Sequence, residues 1–253
     1  MFGLAAALAA AFFITAVLYA SVGFGGGSSY TAFLTLGGVD FTILPAISLI
    51  CNVIVVTGGA ARYIRAGQVD WPRVVPLVLV SAPLAFLGGL TPIKQATFTL
   101  VLAVALLVAG LLLLFQREPD ADAVPRTKAN AFDYLAGAGT GYLAGLVGIG
   151  GGIFLAPILH LTRWGSPRAI AATACLFILI NSLAGLVGQF TKLGTSGAAA
   201  ALTAYWPLAL AVLAGGQLGS FASLKLLSQT MVRRATGLLI LYVAGQLLWK
   251  LAS

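Results

Sequence analysis

The sequence predicts an all-α integral membrane protein made of two inverted-topology repeats, each a glycine-broken helix pair followed by three transmembrane helices. Three observations predict it. Of the 253 residues, 60% are hydrophobic and only 8% charged, where a soluble domain carries about 25% charged residues. No charge falls in the stretches 1–39, 41–61, 74–93, 95–116, 134–159, 169–191, 193–224 and 235–249, and each of these approaches or exceeds the ~20 residues a transmembrane helix needs. Finally, one unusual stretch occurs twice. Val22-Gly23-Phe24-Gly25-Gly26-Gly27-Ser28-Ser29 returns as Val147-Gly148-Ile149-Gly150-Gly151-Gly152-Ile153-Phe154.

Taken in order, residues 1–22 form an alanine-rich helix that stops at the first glycine motif. Each glycine disfavours a helix by about 1 kcal/mol relative to alanine. In a bilayer the freed backbone groups find no water, so such a break survives only inside protein or along a wet cavity. Residues 28–37 make an arm too short to span alone, and 37–40 a turn. Residues 41–61 are a full span carrying Cys51, Asn52 and Thr57, and 62–73 a basic loop. Residues 74–90 span again, with a kink expected from Pro76 and Pro83. A tight turn at 91–95 precedes the span 96–115.

After a polar connector, 116–130, expected in the cytoplasm, the programme repeats. Residues 131–147 lead into the second motif, and 153–160 form a second short arm containing Pro157. Then come a span at 168–190 with Asn181, a polar turn at 192–197, a span at 199–224 with Pro207 and Gln217, and a last span at 231–249. Other landmarks pair in the same order: Asn52 with Asn181, Trp71-Pro72 with Trp206-Pro207, and Val108-Ala109-Gly110 with Val243-Ala244-Gly245. The repeats are therefore 1–115 and 131–253.

Parity sets their orientation. A helix-and-arm pair leaves and returns to one side, so with three spans each half crosses an odd number of times and the halves are inverted. The charges agree. With the 62–73 loop in the cytoplasm, eleven Lys and Arg lie inside and three outside, namely Lys94, Lys192 and Lys250, as the positive-inside rule requires. That rule accounts for the net charge of +8 without nucleic acid. No positive region precedes the first apolar run, so it does not read as a cleaved signal peptide. The expected location is the cell (inner) membrane, with the lipid bilayer as partner.

The composition also excludes chemistry. The single histidine, His160, cannot build a metal site alone, and no metal or cofactor is expected. Cys51 and Cys175 lie in apolar runs and read as small buried residues. The spans hold no nucleophile with its base, so an enzyme is not expected. No Asp or Glu lies at membrane depth as a proton relay, although Asp40 and His160 stand in equivalent places at opposite mouths.

Two motifs of the form Gly-x-Gly-Gly-Gly, the second continuing Ile153-Phe154-Leu155-Ala156-Pro157-Ile158-Leu159, resemble the TauE/SafE family of sulfite and organosulfonate exporters. The first copy departs from the pattern, with Ala32 where the second has Pro157. The resemblance covers nearly the whole chain. It implies transport of small sulfur-containing anions, sulfite or organosulfonates, with export by alternating access expected; an anion channel, or a transporter of another small anion, is the alternative.

The residues support an anion on separate grounds. A helix restarting after a break presents free N–H groups and the positive end of its dipole. The candidate substrate-binding residues are Gly25, Gly26, Gly27, Ser28 and Ser29 in the first motif and Gly150, Gly151, Gly152 and Ile153 in the second. Asn52, Thr57, Asn181, Gln189 and Gln217 are polar residues within apolar spans. The competing role for the glycines is close helix packing, and for the asparagines interhelical hydrogen bonding. If the two restarts form the anion site, alanine at Gly26 or Gly151 relieves a helix penalty of about 1 kcal/mol and leaves stability unchanged or raised while transport falls steeply; if the glycines serve only packing, the same changes lower stability.

Overall fold

The computed structural model describes residues 2–21, 23–115, 130–194, 198–222 and 229–252, and the regular structure among them is helical. The helices are α1 (Phe2–Ser21), α2 (Gly27–Leu36), α3 (Leu44–Arg65), α4 (Trp71–Leu90), α5 (Gln95–Phe115), α6 (Ala131–Val147), α7 (Gly152–Leu161), α8 (Pro167–Gly194), α9 (Trp206–Ala222) and α10 (Gln229–Ala252), with a 3₁₀ segment at Ala198–Tyr205 before α9. Among the described residues, six helical stretches are long and apolar enough to cross a membrane: α3, α4, α5, α8, Ala200–Ser220 and Arg233–Ala252. The expected connector 116–130 lies, but for Asn130, outside the described residues.

Local chemistry sets the boundaries. The third helix starts at Leu44 rather than at residue 41, because the Asp40 carboxylate accepts from both the backbone N–H and the hydroxyl of Thr42, each at 2.9 Å, holding a turn there. Pro45 then sits in the first turn, where its missing N–H is harmless. Pro207 does the same for α9, which is why the expected span at 199–224 divides into a 3₁₀ lead-in and an α-helix. Asn130 and Asp133 open α6 with a reciprocal capping box, at 3.0 and 2.9 Å. The expected turn at 192–197 begins later, since α8 runs on to Gly194; Thr191 returns its hydroxyl to the Val187 carbonyl at 2.9 Å, and Lys192 suits a helix C-terminus. The fourth helix is one element from Trp71 to Leu90, with Pro76 and Pro83 inside it.

The packing is alike in the first and second five helices. Helices α3 and α8 pack together, as do α5 and α10; α4 lies on α6 and α8, and α9 on α1 and α3. Exchanging the halves, α1–α5 for α6–α10, turns the α4–α6 contact into α9–α1, the α4–α8 contact into α9–α3, and α2–α3 into α7–α8. Glycines four residues apart make two of these seams, since that spacing puts both on one helix face. A β-carbon on Gly141 of α6 would stand 2.7 Å from the Ser81 carbonyl, and one on Gly145 would overlap the Ala85 carbonyl. In the counterpart seam, β-carbons on Gly215 and Gly219 of α9 would overlap the Phe13 and Val17 carbonyls of α1. Small residues let backbones approach this closely in membranes.

Gly145→Ala should therefore lower the detergent melting temperature, by the equivalent of about 1–3 kcal/mol for an overpacked site whose neighbour is rigid backbone. Gly139→Ala on the same helix, where a β-carbon meets nothing within 4 Å, should leave it unchanged or raise it.

Candidate functional site

Each glycine motif ends one helix and starts another within a few residues. At the first, Phe24 N–H reaches back to the Tyr19 carbonyl at 2.9 Å, closing α1 around Gly23 at φ 85°. Gly26, at φ 87°, caps the start of α2. At the second, Gly148 closes α6 at φ 79°, its N–H 3.0 Å from the Ala144 carbonyl, and Gly151 caps α7 at φ 76°. These left-handed conformations cost an L-residue roughly 1–2 kcal/mol, so both caps favour glycine.

The two breaks meet at one side chain. Asn52 of α3 is fully buried, and neither its Nδ2 nor its Oδ1 has a hydrogen-bond partner in the protein. A β-carbon on Gly25 or Gly27 would overlap its amide, and one on Gly150 would lie 2.6 Å from its Nδ2. The same β-carbon would be 3.2 Å from the Oγ of Ser182, a second buried polar atom without a partner. Ser182 stands near the middle of α8, so the breaks converge at mid-depth. One turn before Asn52, Ser48 donates to the Gly27 carbonyl at 2.8 Å. The Tyr19 hydroxyl lies 2.9 Å from Ser29 Oγ and 3.3 Å from Ser28 Oγ.

This arrangement has the chemistry of an anion site. The first N–H groups of α2 and α7 have no acceptor within their own helix, and each helix start carries about half a positive charge. The Asn52 amide adds two N–H donors. No acidic side chain is among the residues around the two breaks. Gly25–Ser29 and Gly148–Ile153 are all buried, so this state is closed to both sides. A cavity of about 420 Å³ opens elsewhere, at the far end of α2, lined by Thr35, Val39, Phe41, Gln95, Thr99 and Lys250 among others.

The other candidates are placed as follows. Gly26 lies against the Tyr30 ring, Gly151 against the Phe177 ring, and Gly152 against Ile178; Ile153 is buried beside them. Asn181 does not share the surroundings of Asn52: its Nδ2 donates to Ser81 Oγ at 2.9 Å and to the Phe177 carbonyl at 2.8 Å. Gln189 donates to the Gly145 carbonyl at 2.8 Å, tying α8 to α6. Thr57 is exposed, its hydroxyl on the Val53 carbonyl, and Gln217 is exposed on α9. Sequence reasoning missed Tyr19, Ser48 and Ser182. The signal for Ser48 was its spacing of four from Asn52, which puts both on one face of α3.

The backbone overturns one expectation. Gly26 and Gly151 are caps at positive φ, not interrupted helix positions. A β-carbon on Gly26 would come 2.8 Å from the Tyr30 ring, and one on Gly151 2.9 Å from both the Phe177 ring and the Thr140 carbonyl. Alanine at either therefore destabilises.

Residues 8–247 match the family model described as "Sulfite exporter TauE/SafE". The chain belongs to the TauE/SafE family. It is similar to the probable membrane transporter protein y4hK of Sinorhizobium fredii, 31% identical over 245 residues that cover 96% of this chain and 97% of that one. It is also similar to the probable membrane transporter proteins MJ0441 of Methanocaldococcus jannaschii, 25% identical over 191 residues (71% and 70% of the two chains), and YunE of Bacillus subtilis, 25% identical over 240 residues (83% of each). No solved structure matches. As a TauE/SafE protein this is a multi-pass membrane transporter and not an enzyme.

In this TauE/SafE chain, Gly38 separates strain from collision, because it also has positive φ but a β-carbon there meets nothing within 4 Å. Gly38→Ala should lower the melting temperature by the backbone term alone, about 1–2 kcal/mol. Gly26→Ala and Gly151→Ala should fall further. Equal losses at all three positions would mean that the rings simply move aside.

Proposed function

We propose that the protein carries small sulfur-containing anions, sulfite or an organosulfonate, out across the cell (inner) membrane by alternating access. The anion sits between the starts of α2 and α7, beside Asn52. One observation carries this reading: two glycine-capped helix starts converge at mid-depth on a buried amide that bonds to nothing in the protein. Two facing positive dipole ends repel each other in a low dielectric, and an anion between them removes the repulsion. The family description supplies the sulfur chemistry.

Several features support the mechanism. Burial of both breaks fits an occluded state of a carrier better than a pore. The exchange symmetry of the packing fits two repeats, 1–115 and 131–253, and broken helices meeting at a repeat interface are a recurring transporter design. Arg73 touches Trp164, and Phe41 faces Phe98 at 6.3 Å. These loop pairs belong to opposite ends under the inverted arrangement, and the eleven-to-three basic asymmetry makes the Arg73 end cytoplasmic.

Asn52→Leu tests the site. It keeps the volume and removes buried polar atoms that lack partners, so melting should be unchanged or raised. Sulfite flux into liposomes should fall at least about tenfold, the equivalent of losing one good hydrogen bond to a charge. Full flux in Asn52→Leu would move the anion elsewhere. Flux in the unaltered protein should saturate and show trans-stimulation; linear, unstimulated flux would indicate a channel.

Topology is tested by labelling, in a background with both cysteines replaced by alanine. Ala66→Cys, at the Arg65 end of α3, should resist impermeant thiol reagents in intact cells, while Ala96→Cys should react. Both positions are exposed. Reaction of both from outside would sink the inverted arrangement.

A further inference from the structure

The ends of the two short arms are built alike. After α2, the N–H groups of Gly37, Gly38 and Val39 donate to the carbonyls of Phe33, Thr35 and Leu34 at 2.8, 3.2 and 3.1 Å. After α7, those of Thr162, Arg163 and Trp164 donate to Ile158, His160 and Leu159 at 2.9, 3.1 and 2.9 Å. Gly38 at φ 73° and Arg163 at φ 51° take the same left-handed position. Val39 and Trp164 are thus structural counterparts, one at each mouth. Val39 lines the 420 Å³ cavity. Trp164 is fully buried among Leu77, Leu155, Leu159, Ile170 and Phe177 and fills its own end.

Arg73 holds that plug. Its guanidinium carbon lies 3.9 Å from the centre of the indole ring, and Nη1 donates to the Trp164 carbonyl. Asp70 is a weak competitor, 3.4 Å from Nη1 with a side chain 38% exposed, against 11% for Arg73. The remaining donors are unmet: Arg73 Nε and Nη2, and Trp164 Nε1, are buried with no partner. A guanidinium offers five N–H donors in a fork that matches an oxyanion. The edge formed by Nε and Nη2 is the one left free. Arg62 and Arg65 at the end of α3, and Arg163 and Arg168 flanking Trp164 in the chain, are exposed, and positive charge of this kind concentrates anions at a mouth.

We propose that Arg73 and Trp164 form an anion-receiving gate. An arriving oxyanion takes the Nε and Nη2 donors of Arg73 and draws the guanidinium off the indole. Trp164 then leaves its pocket, which opens the route along α7 toward Asn52. The other mouth, with Val39 in place of Trp164, has no such plug. This inference rests on the anion reading above and adds to it a second binding point with its own ligand chemistry.

The test uses Trp164 as its own reporter. The full-length protein, with Trp71, Trp206 and Trp249 replaced by phenylalanine, is purified in detergent. Sodium sulfite or methanesulfonate is titrated against gluconate at constant ionic strength, and Trp164 emission and acrylamide quenching are followed. Flux of the same anions is measured in liposomes. Sulfite or methanesulfonate should red-shift the emission and raise the quenching constant severalfold, with saturation; gluconate should do neither. Arg73→Gln should leave Trp164 quenchable without anion and unresponsive to it. Arg73→Lys, which keeps the charge but not the fork, should respond only at higher anion concentration, and it decides the matter should Arg73→Gln fail to fold. Trp164 remaining shielded while the anion is transported would overturn the gate and leave the anion reading standing. An unaltered response in Arg73→Gln or Arg73→Lys would also overturn it. Absence of flux for both anions would sink the anion reading and this inference with it.

Discussion

Two glycine-capped helix starts come together at one buried amide inside a membrane protein, and the rest of the structure answers to that. A membrane interior offers no water to free N–H groups, and two positive dipole ends in a low dielectric repel. The fold manages both terms without fixed charge. The capping glycines at positive φ turn the chain in so few residues that little backbone is left free. The Asn52 amide sits against three glycines of the two motifs, Gly25, Gly27 and Gly150, where a β-carbon on any of them would collide with it. Its carboxamide oxygen is a partial negative charge near the helix starts, yet it completes no hydrogen bond. The repulsion is eased rather than cancelled, and a bound anion has more to offer than Asn52 does. Holding an anion by dipoles and neutral donors also allows it to leave.

The helix packing is alike in the first and second five helices, and the chemistry departs from that likeness. Packing partners exchange consistently between halves, but the chemistry at the breaks does not. The first half supplies hydroxyls, Ser28 and Ser29 tied to Tyr19, where the second supplies Ile153 and Phe154. The site's donors are therefore weighted to α2, while α7 contributes backbone and an apolar wall. At the mouths the bias reverses, with a plugged indole beside α7 and an open cavity beside α2.

Much of this was legible in the sequence. Long charge-free stretches dictate spans, and the paired glycine motifs dictate two helix breaks, because each is a requirement of the bilayer or of backbone geometry rather than of a particular neighbour. The helices duly fall within a few residues of their expected limits. What the sequence left hidden depends on rotation about a helix axis. Asn52 and Asn181 look like partners by order, yet 100° of helical turn decides which of Asn181 and Ser182 meets Gly150, and it is Ser182. Asn181 instead joins α8 to α4. The sign of φ was hidden too. A triple glycine announces a break, but not which of the three caps the next helix, and so alanine at Gly26 or Gly151 reads as harmless until the backbone is seen.

A carrier must be stable enough to persist and unstable enough, in each closed state, to open. Stability rests on glycine seams where α6 meets α4 and α9 meets α1, contacts between backbones that have no alternative arrangement close by. Among the polar atoms without partners are those of Asn52 and Ser182 at the breaks and of Arg73 and Trp164 at one mouth, while Asn181 Oδ1 and Gln189 Oε1 lie unmet along the seam itself, beside Gly141 and Gly145. Buried donors left unmet raise the free energy of the state that buries them. Under the proposed function, the unmet donors at Asn52 and at Arg73 raise the closed state at the anion site and at the gate, and there they favour opening, while the glycine seams hold the helices together.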